Sequence, residues 1–421
     1  MSTTLAPAQE AARYIDSLGP EALAKAEAYT MGNHVMLIVG VGVSILAAWI
    51  MIRFRLLDRV AARLEPKPDA SEGGEAAAAN AAAEKQEDEE RKGMPWALAT
   101  LLTAGAFYLI GDLLRLPWTI YESWWRERSY GMTKQPLGDF LGQLALSEAI
   151  GVVLGALFLL GIYALIRKAG QRWWLWGAGF TGVVTLVMLV ATPAYIMPLF
   201  NEFKPVPPGE VRTALEQIAD DVKIPHDRIF MYDGSRQSEY FTANVAGLGP
   251  TARIAISDIA LKEASLAEVR AVTGHEAGHY KLGHVWRYVI LFPLLAALAL
   301  WLIQRLFPWA ARMLGSDAQL HEPRGLPVFM VLVSVLSLLA TPIQNSLTRI
   351  GESAADAYSL RTVNEPDALA SALVKTAEYR YPRPSTLQEV LFYTHPSVEK
   401  RVLRAMEWKA AHPKPEAAPA P

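Results

Sequence analysis

The stretch AVTGHEAGHYKLGH, residues Ala271–His284, holds three histidines and one glutamate within ten residues and leads directly into an apolar run. His275 and His279 are four residues apart, roughly 40° around a helix at 100° per residue, so both imidazoles share one face. Glu276 sits one residue round; it cannot share the ligand position but can reach a water held there. The pattern is HExxH, in which two same-face histidines bind zinc and the glutamate serves as general base. Zinc lowers the pKa of a bound water towards 7, and the carboxylate takes its proton as it attacks a carbonyl. HExxH is short and also occurs by chance on polar helix faces. Here Ser265 followed by Glu268 forms a capping box that starts a helix about three turns upstream.

His284 is the tempting third ligand. On a continuing helix it lies about 140° from His279 and 180° from His275, facing away. It is expected instead to be a polar residue at the membrane interface. The chain has no cysteine, so any metal must be held by His, Asp or Glu. TRIGESAADAYSL, residues 348–360, offers Glu352, expected in a small-residue helix just beyond the sixth apolar segment. A His2Glu set leaves one position for water, as in catalytic zinc sites. Asp356, one helical turn on, suits a hydrogen bond to a ligand histidine. Taken alone, the two acids read as an ordinary solvated i, i+4 pair. In YTHPSVEKRV, His395 could donate to an oxyanion and Arg401 could hold a carboxylate. By spacing alone both residue types are more often structural.

Composition places this cluster in a membrane protein. Hydrophobic residues make up 52% of the 421 and charged residues 19%. The apolar residues are clustered, not spread at amphipathic spacing. Six segments are long enough to cross a bilayer, at about 34–53, 95–115, 141–166, 173–194, 286–307 and 326–346. Tryptophans such as Trp96, Trp118, Trp173 and Trp174 cluster near their ends, as interfacial belts do. The first 30 residues lack a basic region leading into a cleavable apolar core, so the first segment is expected to target the chain. Net charge of −2 and the absence of a basic stretch give no reason to expect nucleic acid as a partner.

The predicted organisation follows. Residues 1–199 form an N-terminal membrane region with four spans, interrupted by an alanine-rich, charged loop over 64–93 that is expected to be disordered. Residues 200–285 form the first half of a metalloprotease domain, 286–346 a membrane hairpin, 347–411 the second half, and 412–421 a disordered Pro/Ala tail. The fold class is mainly α, a polytopic helical membrane protein with a small α+β zincin-like domain. Within that domain PGEVRTALEQIADDV reads as a helix, and DRIFMYDG and ARIAISD as short strands.

Taken together, LPWTIYESWWRERSYGMTKQ, PLFNEFKPVPPGEV, TANVAGLG, GHEAGHYKLGH, TRIGESAADAYSL and THPSVEKR resemble the type I CAAX prenyl endopeptidases, integral-membrane zinc metalloproteases. The likeness runs from about residue 95 onward. It implies one zinc on His275, His279 and Glu352, with Glu276 as base and Asp356 orienting a ligand. It implies that His395 and Arg401 support the substrate or transition state, and that Asn244 lies on an edge strand pairing with an extended peptide. It also implies a ring of long helices around an intramembrane chamber. Glu148 and Asp112, acids inside apolar segments, either face that chamber or pair with a neighbour.

Two departures stand out. Eukaryotic members are described with seven spans against six counted here. The composition also suggests a bacterial relative, in which prenylated substrates are not expected. The expected partners are therefore the bilayer and a peptide or protein substrate, lipidated, membrane-associated or misfolded. A bacterial inner (plasma) membrane is the expected location. The Lys/Arg-rich loops argue for an external catalytic unit and the resemblance for a cytoplasmic one, with the balance towards the latter. The competing function is a noncatalytic zinc-containing scaffold or quality-control adaptor.

Overall fold

The computed structural model of the chain describes residues 5–64, 94–240 and 242–413. The loop expected over 64–93 lies outside these apart from Leu64, as does the tail beyond Pro413. Five helical runs are long and apolar enough to cross a membrane: Gly19–Arg53, Trp96–Ser129, Leu137–Leu199, His284–Leu314 and Pro323–Thr362. The third run, 63 residues, is two helices folded back at Gly170, whose φ of 54° a side chain rarely adopts. The ring of Phe180 packs over Gly161 and stacks on Phe158, closing that hairpin.

The principal helices are α1 (Pro7–Asp16), α2 (Gly19–Arg53), α3 (Leu56–Leu64), α4 (Trp96–Ile120), α5 (Leu137–Ala169) and α6 (Trp173–Ala191). They continue with α7 (Glu210–Val222), α8 (Leu266–Lys281), α9 (His284–Leu314), α10 (Leu326–Thr362), α11 (Pro366–Lys375), α12 (Thr386–Phe392) and α13 (Val398–Ala411). Helices α2, α4, α5, α6, α9 and α10 each pack on the next, and α10 returns to α2, so the six close into a ring. An apolar cavity of about 410 Å³ is lined from α4, α5, α6, α9 and α10. A buried core including Leu57, Ile162, Trp173, Phe307 and Leu326 ties the ring together at the end remote from residues 200–285.

Helix α10 runs unbroken through Pro342 to Thr362, so Glu352 and Asp356 stand on a membrane-spanning helix and not on a separate one beyond it. Hydroxyl groups around the proline bond back to the helix: Thr341 Oγ1 to Ser337 O at 3.0 Å and Ser346 Oγ to Pro342 O at 2.7 Å.

Beside the ring, strands β1 (Phe203–Pro205), β2 (Ile229–Tyr232), β3 (Ala243–Ala246) and β4 (Arg253–Ser257) form one sheet in the order β1-β2-β4-β3. β2 and β4 are parallel, the other pairs antiparallel, and β3 ends the sheet. Ile254 and Ile256 of β4 join Leu215, Val222 and Val269 in one core under the sheet. A second core gathers Leu360, Leu369, Leu373, Val402 and Met406. Ala11 and Ile15 of α1 belong to this second core, although the sequence groups them with the membrane region. Amphipathic α1 has no apolar run to hold it in lipid; its apolar stripe is satisfied against α13 and α11. Helix α1 and the two polar halves thus lie at the same end of the ring.

Candidate metal centre

Helix α8 starts where its capping box requires. Ser265 Oγ accepts from Glu268 N at 3.3 Å, and Glu268 Oε2 accepts from Ser265 N at 2.8 Å. One face of α8 carries Gly274, Ala277 and Gly278, which lets α10 lie almost in backbone contact. A Cβ on Gly278 would meet Ala355 Cα at 3.2 Å, and Ser359 Oγ donates to Ala271 O at 2.7 Å. This close crossing carries Glu352 to the histidines.

His275 Nε2 and His279 Nε2 stand 3.2 Å apart. Glu352 Oε2 is 3.2 Å from the first, and its Oε1 is 3.3 Å from the second. Ligand atoms from all three lie within 4.8 Å of one another. Donors around a tetrahedral ion at about 2.0–2.1 Å are spaced roughly 3.3 Å apart, which is the spacing between the two imidazoles and between each imidazole and one of the two Glu352 oxygens. Glu352 Oε2 is buried and makes no well-aligned hydrogen bond, although the imidazoles of His275 and His395 stand 3.2 and 3.3 Å from it; a cation among these atoms would satisfy it.

Around this triad the other residues take defined places. Asp356, 1% exposed, accepts from His275 Nδ1 at 2.9 Å, which directs the Nε2 lone pair into the site. Arg401 grips the same carboxylate with two bonds, Nη2 to Oδ1 at 2.7 Å and Nε to Oδ2 at 2.8 Å. Burial opposes a charge on His275, yet its bonds to Asp356 and Glu352 outweigh that and raise its pKa, and a cation at Nε2 would take the place of that proton. Burial works against the Arg401 charge too, and Asp356 overrides it to hold the guanidinium above its ordinary pKa. His395 places Nε2 3.3 Å from Glu352 Oε2, with Thr394 Oγ1 2.8 Å from its Nδ1. Burial, then the neighbouring Arg380 charge, push His395 down to about 3, so it is a neutral imidazole.

Glu276 lines a cavity of about 210 Å³ together with His275, His395 and Arg401. Among the described residues nothing hydrogen-bonds its carboxylate, and burial raises its pKa. Asn244 lies on the edge strand β3, paired with Ala255 of β4, with its Oδ1 buried and unpartnered. Asp112 pairs with Arg115 at 2.5 Å, and both line a separate cavity with Glu148, remote from the triad in sequence and contacts.

His284 departs from its expected place. The helix does not continue: Gly283 adopts φ 62° and α9 begins afresh at His284. The imidazole is therefore turned inward, 2% exposed, with its Nδ1 2.9 Å from His279 Nδ1. It stands behind His279 instead of at the membrane interface. The glycine before it was the available signal, since glycine is the usual residue where a helix ends in a left-handed turn.

Comparison with known proteins follows the same lines. Residues 205–409 match the model of peptidase family M48, and residues 4–202 match that of the CAAX prenyl protease N-terminal region, described as five membrane helices. The CAAX prenyl protease 1 homolog of Arabidopsis thaliana is 30% identical over 297 residues, covering 69% of each chain. The uncharacterized metalloprotease YhfN of Bacillus subtilis is 27% identical over 304 residues, covering 70% of this chain and 71% of its own. The crystal structure of Ste24p from S. mikatae superposes with a TM-score of 0.70 at 22% identity, covering 95% of both chains.

Proposed function

The chain belongs to peptidase family M48, as an integral-membrane metalloprotease related to CAAX prenyl protease 1, and we propose that it cuts extended peptide segments using the site on α8 and α10. What carries this reading is the convergence of two imidazole Nε2 atoms and a buried carboxylate oxygen beside a free glutamate. A zinc ion held by His275, His279 and Glu352 would supply a Lewis acid for the scissile carbonyl and the attacking water.

The chain's own residues do the rest. Glu276, unpaired and with its pKa raised by burial, takes the proton from the attacking water and passes it to the leaving amine. Asp356 fixes the tautomer and orientation of His275, and Arg401 locks Asp356. Neutral His395 offers an N–H at the site wall as negative charge develops on the carbonyl oxygen. The free edge of β3 gives an extended segment a strand to pair with, and Asn244 adds a buried acceptor beside it. Main-chain pairing binds a peptide with little demand on its sequence. This suits membrane-associated or misfolded proteins as well as lipidated CAAX-type peptides.

The noncatalytic scaffold has no observation in its favour, since Glu276 is present and free. The membrane is read as a bacterial plasma membrane, supported by the Bacillus relative, with the site on the cytoplasmic, N-terminal side. A reporter enzyme fused after Pro421 that works only outside the cell would refute that sidedness. For the chemistry, purified protein should carry about one zinc per chain. Glu276→Gln should keep that zinc and lose about 10²- to 10⁴-fold in peptide cleavage. Full activity in that variant sinks the mechanism.

A further inference from the structure

Two arginines line the active-site cavity, and only one of them is satisfied by the protein. Arg401 is held by Asp356. Arg380 has no hydrogen bond or ion pair among the described residues, although it shares the cavity wall with His275, Glu276 and His395. Its backbone is firmly placed. Tyr379 packs on Tyr240 at 4.4 Å between ring centres, and Tyr381 N donates to Thr30 Oγ1 at 2.8 Å. Tyr393 donates to Tyr381 O at 3.1 Å. Leu369, Ala372 and Leu373 make the wall beside it apolar. Burial, reinforced by the Arg401 charge, holds its pKa below the ordinary arginine value.

A guanidinium presents a planar fork of donors matched to a carboxylate. Left without a protein partner in a partly desolvated cavity, it is costly unless an anion arrives with the ligand. We propose that Arg380 is a specificity-determining residue that pairs with a carboxylate of the substrate, lying within a few residues of the scissile bond. That group is either the free carboxyl end of a peptide or an Asp or Glu side chain. The assignment rests on the protease reading above, because the peptide on the β3 edge is what brings the carboxylate into this cavity.

The test uses metal-loaded full-length protein and one cleavable peptide in three forms: with a free carboxyl end, with an amidated end, and amidated with an Asp near the cleavage site. Wild type should favour at least one carboxylate form over the neutral peptide by about 10- to 100-fold in kcat/KM, carried mainly by KM. Which form wins identifies the source of the carboxylate. In Arg380→Gln that ratio should fall to near 1, and Arg380→Lys should retain part of it. A wild-type ratio near 1, or a ratio that survives in Arg380→Gln, overturns the assignment. The same ratios read as Kd on the Glu276→Gln protein need no turnover. Absence of cleavage and absence of carboxylate preference are therefore separate results.

Discussion

Replacing Asp356 with asparagine keeps the shape of the side chain and removes the charge that holds His275 and Arg401 in place. The carboxylate accepts three bonds, from His275 Nδ1 at 2.9 Å and from Arg401 at 2.7 and 2.8 Å. An amide can turn its oxygen to His275 and Arg401 Nη2, but its NH2 then faces the Arg401 Nε–H, donor against donor. At 1% exposure no water can mediate. Removing one partner of a buried ion pair costs about 3–5 kcal/mol of stability. Loss of the charge behind His275 should weaken metal binding by about 10- to 100-fold, or roughly 1.4–2.8 kcal/mol.

The two effects separate by assay. Denaturant unfolding of the detergent-solubilised protein with metal in excess reads the first, and competition against a chelator reads the second. Adding Arg401→Met to Asp356→Asn removes the stranded charge. The double variant should regain about 1–3 kcal/mol of stability while its metal affinity stays low. The reasoning is refuted if Asp356→Asn unfolds within about 0.5 kcal/mol of wild type, or if the double variant is no more stable than Asp356→Asn alone.

Two further outcomes follow from other parts of the structure. If His279 Nε2 holds the metal, as proposed, its Nδ1–H donates to His284 Nδ1, 2.9 Å away. His284→Ala should therefore lower zinc affinity by about 10- to 100-fold, and unchanged affinity in a chelator competition would show that the contact is incidental. Glu268 joins the capping box to Lys375 at 2.8 Å and Ser371 at 2.7 Å. Burial alone would raise its pKa, but these bonds prevail and hold it below the ordinary value. A depressed carboxylate contributes stability above its unfolded pKa, near 4.3, and loses that contribution as pH falls through the folded value. Glu268→Gln should thus cost about 2 kcal/mol at pH 7 and progressively less below about pH 4. A cost independent of pH would refute the ionic reading.

Much of the site is legible in the sequence because it is local. The i, i+4 spacing of His275 and His279 is a property of any helix, and Ser265 with Glu268 says that a helix is there. The six apolar runs are equally local, since bilayer thickness sets their length. The separate helix expected for Glu352 beyond the sixth apolar segment is instead its continuation, because α10 runs through Pro342 without a break. His284 was misleading because the angular argument assumed a helix that Gly283 ends.

The sequence by itself therefore determined a membrane-bound chain with two same-face histidines and a glutamate between them. Tertiary packing alone decided the rest. Glu352 reaches the histidines because Gly274 and Gly278 leave α8 no side chain where α10 crosses it. His284 backs His279, α1 joins the core of α11 and α13, and Arg380, without a partner among the described residues, lines the cavity beside His275 and Glu276. Short-range periodicity fixes which way a side chain leaves its own helix. Which distant carboxylate or guanidinium it meets depends on how closely two helices can approach, and that is a property of their packed faces.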